Sequence, residues 1–207
     1  MKHLFICLVF IISACTLPIT YNDTHQPKNQ NANLLPAMHT KVNTSNLKAA
    51  FTDISEDTKK PKRDFRDIMV DDAVNIFERE VKENITIGEG NKQGYISFRI
   101  QYIELDESLP IRAVSVGTLG LLNLLGFPAD KFTQTMEVEV EIMNLKGGVI
   151  KRYTQTIKTS EYRALYWGYK RPNINRKLSA ENIKQALKLI SAKINTDAEY
   201  IKTQLHK

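Results

Sequence analysis

Few side chains in this 207-residue chain could do chemistry unaided, and their positions decide which chemistries remain. Both cysteines, Cys7 and Cys15, fall in the first fifteen residues, and the histidines are His3, His25, His39 and His206. Residues 40 to 205 therefore contain neither type. A disulfide framework, a zinc site with Cys or His ligands, and Cys–His or Ser–His catalysis within that stretch are excluded by inventory. An enzyme using carboxylates alone is a further class to weigh. Glu137, Glu139 and Glu141 share one strand face and could approach a cation, but Lys151, Arg152 or Lys158 on a neighbouring strand would pair with them more readily. Two acids suffice for a glycosidase, yet no pair here is set apart by its surroundings. The expectation is a non-enzymatic protein with no catalytic residue, no metal and no cofactor.

Cys15 is the nucleophile with a recognisable setting. Met1, Lys2 and His3 make a short positive start, and Leu4 to Ile12 is an unbroken apolar run of nine residues. As a helix that run rises only about 14 Å, less than half of a hydrocarbon core of roughly 30 Å. It reads as a cleavable export signal rather than a span. Ile12-Ser13-Ala14-Cys15 resembles the bacterial lipobox, in which the cysteine after an aliphatic and two small residues is acylated and becomes the new N-terminus. Each buried CH₂ of such a lipid contributes about 0.8 kcal/mol of membrane affinity. The expected organisation is a signal peptide at 1–14, lipidated Cys15 with a flexible tether to residue 33, and a single domain at 34–207. Residues 16 to 33 are rich in Asn, Thr and Pro without apolar periodicity, which suits a disordered tether. The +6 formal charge is spread along the chain and favours anionic surfaces only weakly.

Two internal segments could recognise a partner. Ala113 to Phe127 (AVSVGTLGLLNLLGF) is nearly uncharged, too short to span a bilayer comfortably, and interrupts two strands. It could be a buried connection, a loop dipping into lipid, or a docking surface. Leu119, Leu121, Leu122, Leu124 and Leu125 are too closely spaced for one helical stripe, so they should divide into a buried and an exposed set. Those leucines and Phe127 form the candidate interaction surface. The second segment, Tyr162 to Lys177, mixes Tyr162, Tyr166, Trp167 and Tyr169 with Arg163, Lys170, Arg171, Arg176 and Lys177. Rings and cations together stack on sugars or bases and pair with phosphates. For an exported chain a nucleic acid is not the expected partner. Of this segment Tyr166, Trp167 and Tyr169 join the candidate surface.

The elements that must position these residues follow from periodicity. Leu34 to Phe51 suggests an edge strand and its following turn. Between Asp67 and Ile87, Val70, Ala73, Val74, Phe77, Val81 and Ile85 recur at helical spacing, and Gly88-Glu89-Gly90 ends the helix. From Tyr95 to Tyr102 the chain alternates, with Ile96, Phe98, Ile100 and Tyr102 on one face. Met136, Val138, Val140 and Ile142 alternate likewise, before a turn at Asn144 to Gly148 and a partner strand at Val149 to Lys158. A last helix should start at Ser179 as N-cap and bury Ile183, Ala186, Leu187, Ile190, Ile194, Ile201 and Leu205. Together these predict an α+β domain, a small antiparallel sheet covered on one face by two amphipathic helices.

The lipobox at Cys15, the LLP at Leu34, IFEREVKENI (Ile76 to Ile85), LLGFP, the hairpin MEVEVEIMNLKGGVIKRY and ALYWGY (Ala164 to Tyr169) together resemble uncharacterised Bacteroidetes-type envelope lipoproteins. The resemblance covers most of the chain from residue 34 and brings no catalytic residues with it. It implies a lineage and an address. The anchor, the apolar segment, the missing catalytic groups and a layout similar to small periplasmic lipoproteins that serve transport or assembly machines add the expectation of an accessory or interaction subunit of an envelope assembly or transport system. Such a subunit would be held through Cys15, by palmitate or a similar acyl chain, at the periplasmic face of a membrane, the outer rather than the inner. The expected partners are that membrane and an envelope protein. The alternative is a module that binds lipid or an anionic glycan.

Overall fold

The computed structural model describes residues 34–55, 63–165 and 171–205. Cys15, the signal peptide and the tether expected before residue 34 lie outside those residues, as does most of the basic run Lys59 to Arg63. In chain order the elements are β1 (His39–Val42), α1 (Thr44–Ser55), α2 (Arg63–Glu80), a π-helical turn (Val81–Ile85), β2 (Gly94–Glu107), α3 (Leu109–Gly117), α4 (Leu121–Leu124), β3 (Asp130–Asn144), β4 (Val149–Arg163) and α5 (Arg171–Leu205). The strands form one sheet in the order β1-β2-β3-β4. β1 runs parallel to β2, and the other neighbours are antiparallel. The fold is α+β, with α1, α2 and α5 packed on one face of the sheet.

Alternation decides which face. Ile96, Phe98 and Ile100 of β2, Met136, Val138, Val140 and Ile142 of β3, and Tyr153 and Ile157 of β4 point inward and are buried. They meet the α2 stripe of Val70, Ala73 and Phe77, with Phe77 and Phe98 stacked at 5.0 Å between ring centroids. The same core receives Ile183, Ala186, Leu187, Ile190, Ile194, Ile201 and Leu205 from α5. Each valine, leucine, isoleucine, methionine or phenylalanine among them contributes about 1.5–3 kcal/mol when fully removed from water.

Four local features differ from the periodic reading. The stretch after β1 is a helix, because Asn43 is its cap: the Asn43 carbonyl accepts from Leu47 N at 3.0 Å and its Oδ1 from Asn46 N at 2.9 Å. Leu47 and Phe51, one turn apart, then drop into the core. Asn46 also reaches across to accept from Ile100 N at 3.0 Å, an amide on the side of β2 that β1 has ended too early to cover. In β2 the pairing shifts between Ile100 and Tyr102, so Tyr102 turns outward and Ile103 and Leu105 carry the inward face onward. The third difference is in α5, which begins at Arg171. Ser179 therefore caps nothing; it is buried mid-helix, where its hydroxyl and the Asn182 amide bind the Gln134 side chain at 2.9–3.3 Å. Finally, β1 makes the sheet mixed rather than wholly antiparallel.

One close approach depends on glycine. A Cβ on Gly94 would lie 2.4 Å from the Met143 carbonyl oxygen and 2.8 Å from Leu205 Cδ2, so the strand pair would have to move. Gly117, at the end of α3, has open space around it. We expect Gly94→Ala to lower stability by about 1–3 kcal/mol and Gly117→Ala to leave it unchanged or slightly raised, compared by urea unfolding of the two variants. Equal effects would show that the Gly94 contact is not limiting.

Candidate functional site

The chain between β2 and β3 makes an arm at one end of the sheet. Its base is tied down by Ser108 N to Lys131 O at 2.9 Å and Ala129 N to Arg163 O at 2.7 Å. Pro110 lies in the first turn of α3, where a missing N–H costs nothing. Leu119 (φ 50°) and Gly120 (φ 77°) are both left-handed and reverse the chain into α4. The arm's polar groups close on one another. Asn123 Nδ2 donates to Ser115 Oγ at 3.2 Å and to Phe127 O at 3.1 Å, while Ser115 Oγ donates to Ile111 O at 3.1 Å and Thr118 Oγ1 to Val114 O at 2.9 Å.

Asn123, 9% exposed, is the buried residue of this arm, and this corrects the expectation that its leucines divide into a buried and an exposed set. Leu119 (89%), Leu125 (85%), Leu121, Leu124 and Phe127 are all exposed, and Leu122 is half-buried. Leu109, Val114 and Val116 are exposed beside them. The reason is geometric. A nine-residue and a four-residue helix standing off the end of the sheet have no apolar layer beneath them, so the inner position goes to the one side chain able to bond two elements together. Between Ser108 and Ala129 the only charge is Arg112, set 3.5 Å from Glu107.

The aromatic-basic segment begins at the same end. Tyr162 is exposed under Lys131, whose Nζ lies 5.5 Å from the ring centroid, and Arg163 pairs with Asp130 at the arm's base. Leu165 is exposed. Tyr166, Trp167 and Tyr169 lie outside the described residues. Farther along, Arg176 makes a two-point pair with Asp72 at 2.5 and 2.9 Å, and Lys177 bonds Glu161 at 2.8 Å, so these cations join α5 to α2 and β4.

The glutamate row is committed to structure. Glu139, 4% exposed, is covered by Arg99, by Arg152 at 3.5 Å and by the amide of the bulge residue Gln101 at 2.6 Å. Arg152 also holds Glu141 at 2.5 Å, and Thr156 donates to Glu137 at 3.2 Å. Arg152 was expected as a partner; Arg99 and Gln101 come from the other side of β3. Beside this network a shallow depression of about 180 Å³ is lined by Lys41, Asn43, Ser97, Phe98, Arg99, Glu141 and Met143. Among the described residues no group of three or more His, Cys, Asp or Glu is disposed to hold a metal ion. No helix among them is long and apolar enough to cross a membrane.

A second titratable cluster joins β4 to α5. Asp197 accepts from Lys151 Nζ at 2.6 Å and from Tyr153 Oη at 2.8 Å. These bonds, Lys151's first, hold the Asp197 carboxyl below its ordinary range, whereas burial and then Asp197 push the Tyr153 phenol up.

No family model matches the chain, and no curated protein matches it. The solved structures to which it is similar include these three. One is a Caulobacter crescentus protein described as a lipoprotein, at 8% identity and TM-score 0.37, over 74% of this chain and 96% of that one. Another is a minor lipoprotein of Acinetobacter baumannii, at 14% identity and TM-score 0.41, over 61% and 84%. The third is a Xanthomonas campestris protein, at 12% identity and TM-score 0.32, over 83% and 86%.

Two outcomes follow. Leu121→Asp and Leu124→Asp should each leave stability within about 0.5 kcal/mol, whereas Phe132→Ala, in the small core with Ile174 and Leu178 between β3 and α5, should cost about 3–5 kcal/mol. Thermal melts of the three separate these. For Lys151→Met the sign runs with Asp197: a carboxyl depressed in the fold contributes stability above its unfolded value near 3.8 and loses it as pH falls through the folded value. The variant's deficit should therefore be full at pH 7 and shrink below about pH 4, read from urea midpoints across that range. A deficit that persists undiminished at pH 2 would assign the loss instead to the contact of Lys151 with the Tyr153 and Tyr200 rings, whose centroids lie 5.7 and 5.8 Å from its Nζ.

Proposed function

We propose that this protein is a lipid-anchored component of the bacterial cell envelope, acting without catalysis as an accessory or interaction subunit of an assembly or transport system. The observation that carries the reading is the arm: eight large apolar side chains from Leu109 to Phe127 stand exposed at one end of a domain whose own core is complete without them. Ile12-Ser13-Ala14-Cys15 supports anchoring, since a lipid on Cys15 gives the membrane affinity that a cleaved nine-residue apolar run no longer could. The glutamate row supports a non-enzymatic role, Glu139 and Glu141 being paired to Arg99, Arg152 and Gln101 and Glu137 accepting from Thr156. In this reading the domain faces the periplasm, at the outer membrane rather than the inner.

The alternative, a module binding lipid or an anionic glycan, draws on one observation: the strand that leads to Tyr166 and Trp167 leaves the sheet at Arg163, beside the base of the arm. Fractionation tests the anchor. The wild-type chain should sediment with membranes and stay there through a carbonate wash, and Cys15→Ala should be released by it. Retention of Cys15→Ala after the wash would overturn the anchoring.

A further inference from the structure

We propose that the arm of α3 and α4 inserts shallowly into a phospholipid bilayer, the same surface to which the acylated chain is tethered; this rests on the lipid-anchored reading above.

The first support is the arm's internal accounting of hydrogen bonds. Backbone entering hydrocarbon must satisfy itself, because no water follows it. Along the reversal, Thr118 N, Leu119 N, Gly120 N and Leu121 N all bond carbonyls within the arm, at 2.9–3.1 Å, and so do Leu125 N, Gly126 N and Phe127 N after it. The hydroxyls of Ser115 and Thr118 and the amide of Asn123 do the same. Such closure leaves few donors on the reversal for water to satisfy, which lowers the cost of taking it out of water.

Charge is the second. The one ionic side chain, Arg112, sits in the first turn of α3 at the base, where its long stem can keep the guanidinium at headgroup level while the tip goes deeper. With helices of nine and four residues the arm reaches to the acyl boundary, about 5–10 Å deep, and does not cross.

The third is strain. Leu119 holds a left-handed conformation that costs a non-glycine residue about 1 kcal/mol or more, and it is 89% exposed at the turn, so water offers nothing in return. Glycine would sit there without strain. A leucine kept at such a position is explained if its side chain is buried on binding.

Reach allows all of this in one membrane. Leu35 and β1 enter at the Gly94 end of β2, and the arm leaves from the Glu107 end, 14 residues or roughly 45 Å away. The eighteen residues from 16 to 33, extended, cover roughly 60 Å, enough for the domain to stand on its arm while Cys15 stays in the same leaflet.

The test uses the full-length lipoprotein reconstituted into phosphatidylethanolamine–phosphatidylglycerol vesicles. Beyond Cys15 the chain has no cysteine, so Leu121→Cys carries an environment-sensitive dye at one place, and Thr154→Cys on the outer face of β4 serves as the control. In vesicles that float with their protein, dye at 121 should shift to the blue and lose most of its emission to a spin-labelled acyl chain, while dye at 154 should do neither. Leu119→Gly should raise the melting temperature and weaken the quenching at 121, opposite signs that a purely structural leucine would not produce. Floating vesicles in which 121 behaves like 154 would overturn insertion and leave the anchored reading standing, with a protein partner for the arm. A shift that follows protein density rather than the quencher would overturn it in favour of arm-to-arm contact. Failure to float would overturn both readings.

Discussion

With no cysteine beyond residue 15 and no histidine between 40 and 205 to crosslink or ligate, the fold is held by burial of one long helical stripe against one sheet face. α5 has 35 residues, about 52 Å of helix, and its contacts run from Ile174 over Phe132 at the arm end to Leu205 over Gly94 at the other. Every other element is placed by that contact. α2 lies alongside α5, joined to it by the Asp72–Arg176 pair, and α1 fills the remaining corner over β2 with Leu47 and Phe51. A stripe of this length could slide by a turn. Gln134 prevents it, because its buried side chain is satisfied only when Ser179 and Asn182 sit opposite. Polar groups inside an apolar interface cost little when paired and much when displaced, so they set register more sharply than the leucines around them.

The outer face of the sheet meets a different demand. Among the described residues no helix covers it, and β3 presents three glutamates in a row there; like charges at that spacing repel. Arg99 from β2 and Arg152 from β4 lie across the row from both sides, and the bulge at Gln101 turns a third donor onto Glu139. That bulge serves both faces at once. It supplies the amide outside, and by shifting the pairing it returns Ile103 and Leu105 to the inside.

Much of this was legible in the residues, and the exceptions share a cause. The hairpin, the α2 stripe and the buried face of α5 are repeats of period two or 3.6, each readable within one segment. The helix after Asn43, the early start of α5 and the outward turn of Tyr102 depend on what a polar side chain meets in another element. Asn43 and Asn46 look like turn residues until one caps a helix and the other completes β2. Ser179 looks like a cap until Gln134 is opposite it. At the candidate surface the excess of leucine was visible in the sequence, but the sense of the packing was not. Periodicity counts apolar residues and assumes a core to receive them, whereas here the inner place is taken by Asn123, the residue able to bond both Ser115 and Phe127.

The arm is also separable from the scaffold that carries it. Glu107 pairs with Phe132 directly beneath it, so the register of β2 and β3 is set without anything between them. No apolar side chain from Leu109 to Phe127 is buried in the core. A short turn could therefore join the two strands in its place, and loop-closure entropy grows so slowly with length that the scaffold would barely register the exchange. The sheet and its helices thus form a chassis on which this tip can lengthen, shorten or change character under its own selection, with the folding problem already solved elsewhere in the chain.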